Sequence, residues 1–218
     1  MGEGSGRGPI LTGVGAWAGI LVFALFVHRP SPYFLLAVGG LLATTVAITA
    51  AAAGGSSFRN LFGLDEVPPR TRGWTLVALG VAVGFGFLLR GYRDQPLILT
   101  GLGSFLLVGA AIGATEELLF RGFIQGRMVR LGAPAAIVLA ALAHTSYKTA
   151  LFALPPEGVA VNLSVLAFFT FLVGAILGLT RHKTGSVIPA LSGHMLFDIL
   201  VYGDWAQAPW WVWGVGIQ

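Results

Sequence analysis

Six ionisable side chains stand where a mostly apolar chain has the least room for them. Residues 114–127 read ATEELLFRGFIQGR and set Glu116, Glu117 and Arg121 inside a hydrophobic stretch; His144 lies in the next apolar run, and His194 and Asp198 in a later one. One acid or arginine at the centre of a membrane helix costs about 2.5–3.5 kcal/mol on insertion scales, so several together require a reason. Their types define the chemistry on offer. A carboxylate paired with arginine stays ionised, whereas one left in an apolar pocket gains proton affinity and suits base catalysis, so two identical residues can take two roles. An imidazole can exchange a proton or donate to a developing oxyanion. The chain has no cysteine. That excludes disulfides, thiolate nucleophiles and thiolate metal ligands, and leaves carboxylate, imidazole, hydroxyl and water.

Spacing sharpens the set. Glu117 and Arg121 are i,i+4, as are His194 and Asp198, so each pair shares a helix face and can bond along its own helix. Glu116 lies about 100° round from Glu117, which lets the two carboxylates face different partners. Glu117 precedes Arg127, His144 follows Pro134 and His194 follows Thr184 by about ten residues each, roughly 15 Å along a helix from the same end. Three helices therefore carry these groups to one level.

The elements that must position them are membrane spans. The 218 residues are 56% hydrophobic and 10% charged, with a mean hydropathy of +0.82. Apolar runs cover Ile10–Val27, Tyr33–Ala53, Trp74–Leu89, a glycine-rich stretch from near Pro96 into the charged motif, Pro134–Leu154, Val159–Thr180 and Ser186–Tyr202. Pro209–Val215 is too short to cross alone. The expectation is an all-α polytopic transmembrane bundle of seven to eight helices forming a single integral-membrane domain over 1–218, with the motif-bearing core at about 96–203. The first run is long for a signal segment and another follows it, so it is expected to remain as an anchor. Net charge +4 and a pI near 10.0 reflect Lys and Arg in short loops, which speaks for topology and against a nucleic-acid partner. With the N-terminus cytoplasmic, that side collects Arg7, Arg59, Arg70, Arg72, Arg127, Arg130, Arg181 and Lys183, leaving Arg29, Arg90, Arg93 and Lys148 outside. The tryptophans Trp205, Trp210, Trp211 and Trp213 then fall at the outer interface, and Tyr147 and Lys148 are expected to anchor a helix end there.

The run Glu116-Glu117-Leu118-Leu119-Phe120-Arg121, then His144, then His194-Met195-Leu196-Phe197-Asp198 resembles the CPBP family of intramembrane glutamic-type endopeptidases, which includes the type II CAAX prenyl endopeptidases. The family pattern is EExxxR, a single His with Phe four residues before it, then HxxxN or HxxxD; here Ala140 stands in place of that Phe. The resemblance implies an integral protein of a prokaryotic plasma membrane that cleaves a membrane-associated or lipidated peptide or protein. It implies that Glu116 activates water together with His144, that Glu117 and Arg121 hold this arrangement, and that His194 and Asp198 face the scissile carbonyl. An ionised Asp198 cannot donate to an oxyanion. The expectation is therefore that Asp198 orients His194 and keeps it cationic, so that the imidazolium donates.

Other readings of the same residues stay open. Glu117–Arg121 could be an ion pair that locks helices, and His144 a hydrogen-bonded core histidine. No cofactor is expected, but His144, His194, Glu116 and Asp198 could supply zinc ligands, although HExxH is absent. A transporter or a partner-binding membrane protein could use buried acids as a proton relay, although no internal repeat is present. Thr145, Ser146 and Ser192 lack a nucleophile-elbow pattern and read as packing hydroxyls. Substrate identity and oligomeric state are not written in the chain.

Overall fold

Each of the seven apolar runs long enough to span carries a helix over most of its length. The computed structural model describes residues 7–30, 32–55, 57–65 and 67–212; Trp213 and the end of the Pro209–Val215 run lie outside them. The helices are α1 (Arg7–Phe26), α2 (Phe34–Ala53), a short α3 (Phe58–Phe62), α4 (Arg70–Tyr92), α5 (Phe105–Glu117), α6 (Gln125–Met128), α7 (Ala133–Leu151), α8 (Leu163–Thr184) and α9 (Ile188–Tyr202). A π-helical segment, Leu118–Ile124, joins α5 to α6 without a break, so the motif lies on one rod from Phe105 to Met128. The described residues form no strand, and the architecture is an all-α bundle.

Among the described residues, four helices are long and apolar enough to cross a membrane: Gly8–Phe26, Phe34–Ala53, Arg70–Tyr92 and Leu163–Thr184. The three elements carrying the motif are not among them. α5 has 13 residues and α9 has 15, too few to cross alone, while α7, with 19, carries His144 and Lys148. They are held inside the bundle instead: α9 packs on α4 and α5, α7 on α8 and α1, and the π segment against α1, α3, α7 and α8.

The fourth run starts later than its composition implies. Residues near Pro96 do not form a helix; α5 begins at Phe105. Asp94, with φ 53, and Pro96 break the chain, and the stretch before α5 bonds instead to the segment after α9. Gly103 N donates to Gly203 O (2.7 Å) and Phe105 N to Trp205 O (3.2 Å). Likewise α8 begins at Leu163, where Asn162 Oδ1 accepts from Val165 N, and ends at Gly185 in the left-handed region. The polar loop after α2 contains α3, capped by Ser57 and closed by left-handed Gly63. Its Phe62 is buried and meets the Phe123 ring at 6.0 Å. Small residues set the closest crossings, as is usual between membrane helices: a Cβ at Gly193 of α9 would lie 2.9 Å from Ala78 O of α4.

The loops sort into two ends. One joins the α2–α4, α6–α7 and α8–α9 connections, with Val187 N donating to Gly63 O and Arg127 Nε to Thr12 Oγ1. The other gathers His28, Phe152, Trp210 and Trp211 in ring contacts.

Candidate active site

All six residues singled out by type and spacing come together, and all are buried. The rod supplies the first three. Glu116 and Glu117 end α5, and the π turn that follows buries every residue from Phe120 to Gln125; such turns inside α-helices are frequent at functional sites. Arg121 Nη1 donates to Glu117 Oε1 at 2.7 Å, the expected i,i+4 bond. The same nitrogen lies 2.9 Å from His144 Nδ1. A guanidinium only donates, so His144 Nδ1 accepts, which puts the ring proton on Nε2. Nε2 then donates to Glu116 Oε2 at 3.0 Å. The chain Glu117–Arg121–His144–Glu116 runs from the rod to α7 and back.

From α9, His194 Nδ1 donates to Glu117 Oε1 at 2.7 Å. The direct hydrogen bond that orients His194 is thus made to Glu117, while Asp198 lies at ion-pair distance from the other ring nitrogen. Asp198 Oδ2 stands 3.8 Å from His194 Nε2, beyond a direct hydrogen bond, whereas Glu117 holds the other ring nitrogen. Glu116 Oε2 lies 3.7 Å from His194 Nε2. Thus Nε2 faces two carboxylate oxygens, each roughly 1 Å beyond a normal hydrogen bond. A water lying beside the gap, rather than within it, can reach both the ring nitrogen and a carboxylate.

Lys148, expected to anchor the end of α7 at the interface, belongs to the site. Its Nζ is 2.7 Å from Glu116 Oε1, and its side chain is only 14% exposed. With His144 it holds both oxygens of Glu116 from one helix face. Its i,i+4 spacing from His144 was the available signal, obscured because lysine near a helix end also fits an interfacial anchor. Phe120 was missed as well. Its ring stacks on His144 with centroids 4.7 Å apart, so an aromatic packs on the histidine from the rod while small Ala140 occupies the position four residues before it. Two glycines make room. A Cβ at Gly174 of α8 would lie 2.7 Å from Arg121 Nη2, and one at Gly113 of α5 would lie 2.5 Å from Asp198 Oδ2. Ser146 accepts from Trp17 Nε1 (2.9 Å) and donates to Ala143 O, a packing role as expected.

Among the described residues, no three His, Asp or Glu side chains are grouped to hold a metal ion. The hydrogen bonds account for part of this: the lone pair of His144 faces Arg121. Ligation through Nε2 would move the ring proton to Nδ1 and turn an N–H toward the guanidinium.

Carboxylates and imidazoles buried together in an all-α membrane bundle are the groups that an intramembrane hydrolase would use to activate water. Residues 96–200, just under half of the chain, match the family model described as type II CAAX prenyl endopeptidase Rce1-like. The matched stretch contains all six residues. On this match the chain is an enzyme, an intramembrane endopeptidase. No curated protein matches it.

Proposed function

We propose that the enzyme hydrolyses a peptide bond of a membrane-associated or lipidated substrate with a water activated by Glu116, without a metal. The observation that carries this reading is the spacing around His194 Nε2, 3.7 Å from Glu116 Oε2 and 3.8 Å from Asp198 Oδ2. A water there reaches a carboxylate that can take its proton, and the substrate carbonyl beside it reaches an imidazole. The water oxygen bonds to the carbonyl carbon as its proton passes to Glu116. The oxyanion accepts from His194 Nε2–H, and when the C–N bond breaks the proton on Glu116 moves to the leaving amine.

Charge balance supports a cationic His194. Glu116, Glu117 and Asp198 stand against Arg121 and Lys148, and an imidazolium at His194 makes the buried cluster neutral, the cheaper state in a low dielectric. Glu117 and Arg121 position the two histidines. We also place the N-terminus and the arginine-rich end in the cytoplasm, because cations are concentrated at that end of the bundle, the more so once Lys148 is assigned to the site.

The test is cleavage of lipidated and unmodified forms of one membrane-bound peptide by purified protein in excess chelator. Wild type should cleave and Glu116→Gln should not. Activity abolished by exhaustive chelation and restored by Zn²⁺ would overturn the metal-free mechanism.

A further inference from the structure

Away from the active site, a cavity of about 410 Å³ opens at the arginine-rich end of the bundle, walled by α3 and its cap, the end of the rod, the start of α7 and the end of α8. Arg127 and Arg181 line it, as do Gln125, Gly63, Asp65 and His182. Among the described residues, neither arginine has a carboxylate at ion-pair distance. Asp65, the acid in the wall, is turned to Arg59 at 4.0 Å and to Ser57 Oγ at 3.4 Å.

Two buried polar atoms here have no hydrogen-bond partner among the described residues: Arg181 Nε and Gln125 Oε1. Gln125 is 5% exposed, and its Nε2 is committed to Gly178 O at 2.8 Å. Gly63 lies in the left-handed region at φ 68 and has no Cβ, which lets the Arg181 guanidinium rest against its backbone. The arginine is therefore held in place by packing. Two guanidiniums offer the planar fork that suits a phosphate, and the orphan amide oxygen beside them accepts from a hydroxyl.

We propose that this cavity binds a phosphate group carrying a neighbouring hydroxyl, supplied by the head group of a membrane phospholipid. Loops rich in arginine at a membrane surface meet such head groups. The site is separate from the proteolytic cluster, and its occupancy does not depend on how the peptide bond is cleaved.

The experiment uses the full chain in mild detergent, with thermal unfolding followed as each probe is titrated. Phosphatidylglycerol should raise the melting temperature saturably, while diacylglycerol with the same acyl chains should not. Arg181→Gln and Arg127→Gln should each weaken the apparent affinity about tenfold or more. Arg181→Lys, which keeps the charge but loses the fork, should fall between. Arg130→Gln, on an exposed residue outside the cavity wall, should bind as wild type does. Ala133→Leu tests the cavity without touching charge and should also weaken binding. Should a glutamine variant unfold, native mass spectrometry of lipid retained by Arg181→Lys and Ala133→Leu gives the same comparison. Equal protection by diacylglycerol, or equal losses in Arg181→Gln and Arg130→Gln, would overturn the site. Protection by inorganic phosphate or glycerophosphoglycerol as strong as that by the lipid would support phosphate recognition and overturn the lipid as its source.

Discussion

At Glu117 a single carboxylate oxygen accepts from Arg121 Nη1 and from His194 Nδ1, each at 2.7 Å, with no exposure to solvent. Glu116, one residue earlier, is held by His144 and by Lys148, whose side chain retains 14% exposure. The consequences of neutralising them differ. Glu117→Gln leaves Arg121 buried without its counter-charge, and breaking a buried pair costs roughly 3–5 kcal/mol, so stability in detergent and cleavage should drop together. Glu116→Gln leaves a lysine that can turn toward water; folding should persist while cleavage falls by about 10²-fold or more. The reverse pattern in paired unfolding and activity assays would exchange their roles. Lys148→Met should slow cleavage by about tenfold or more, the size expected when one charged hydrogen bond of roughly 1.5–3 kcal/mol is lost. Lys148→Arg should recover part of the rate. Equal rates in Lys148→Met and wild type would return Lys148 to a purely interfacial role.

At the scale of elements, the site depends on how closely α8 approaches the rod. Gly174 is where this is most sensitive, since a methyl there would press on Arg121 Nη2 at 2.7 Å and on Ala141 Cβ at 3.4 Å. Arg121 cannot retreat without releasing Glu117 or His144. Gly174→Ala should therefore cost about 1–3 kcal/mol of stability, typical of overpacking, and lower the cleavage rate of the protein that remains folded. Gly80→Ala in α4 serves as the control, because nothing lies within 4 Å of the added methyl. Identical activity in the two variants would show that the α8 approach does not position Arg121.

At the scale of the molecule, the end opposite the arginine-rich one is tied by Arg90, which is fully buried. It donates to Asp204 Oδ2 at 2.8 Å, to Leu200 O at 2.8 Å and to Pro96 O, linking α4 to the end of α9, the turn after it and the segment before α5. The hydrogen bond from Arg90 holds the Asp204 carboxyl below its ordinary range. A depressed folded value means that the stabilisation is complete above the unfolded-chain value, about pH 3.9, and is lost as pH falls through the folded value. The difference in melting temperature between wild type and Asp204→Asn should be constant near neutrality and shrink below about pH 4. A difference independent of pH would exclude the ion pair as its source. Orientation can be tested on the same intact protein. The chain lacks cysteine, so single cysteines at Arg59 and Lys183 report directly, and both should resist an impermeant thiol reagent added outside intact cells. Labelling of either from outside would invert the topology.

The contacts that the chain determined by itself are those within one helix or one face. Apolar runs predicted seven of the described helices, with the rod counted as one, but not the short α3, and i,i+4 spacing predicted the Glu117–Arg121 bond, because the rise and turn of a helix are the same wherever it packs. Common depth predicted that the rod, α7 and α9 would bring their polar groups to one level. Tertiary structure alone decided which atoms meet. That Glu117 holds His194 from 77 positions away in the chain, that Asp198 stands back from the ring, and that Phe120 covers His144 all depend on helix rotation and crossing. Those are set by where glycines permit backbones to approach and by a π turn that shifts the phase of the rod, and neither is periodic in the sequence. Lys148 lay between the two cases. Its spacing from His144 was legible, but whether its long side chain would turn outward to the interface or inward to Glu116 depended on a carboxylate brought from another helix.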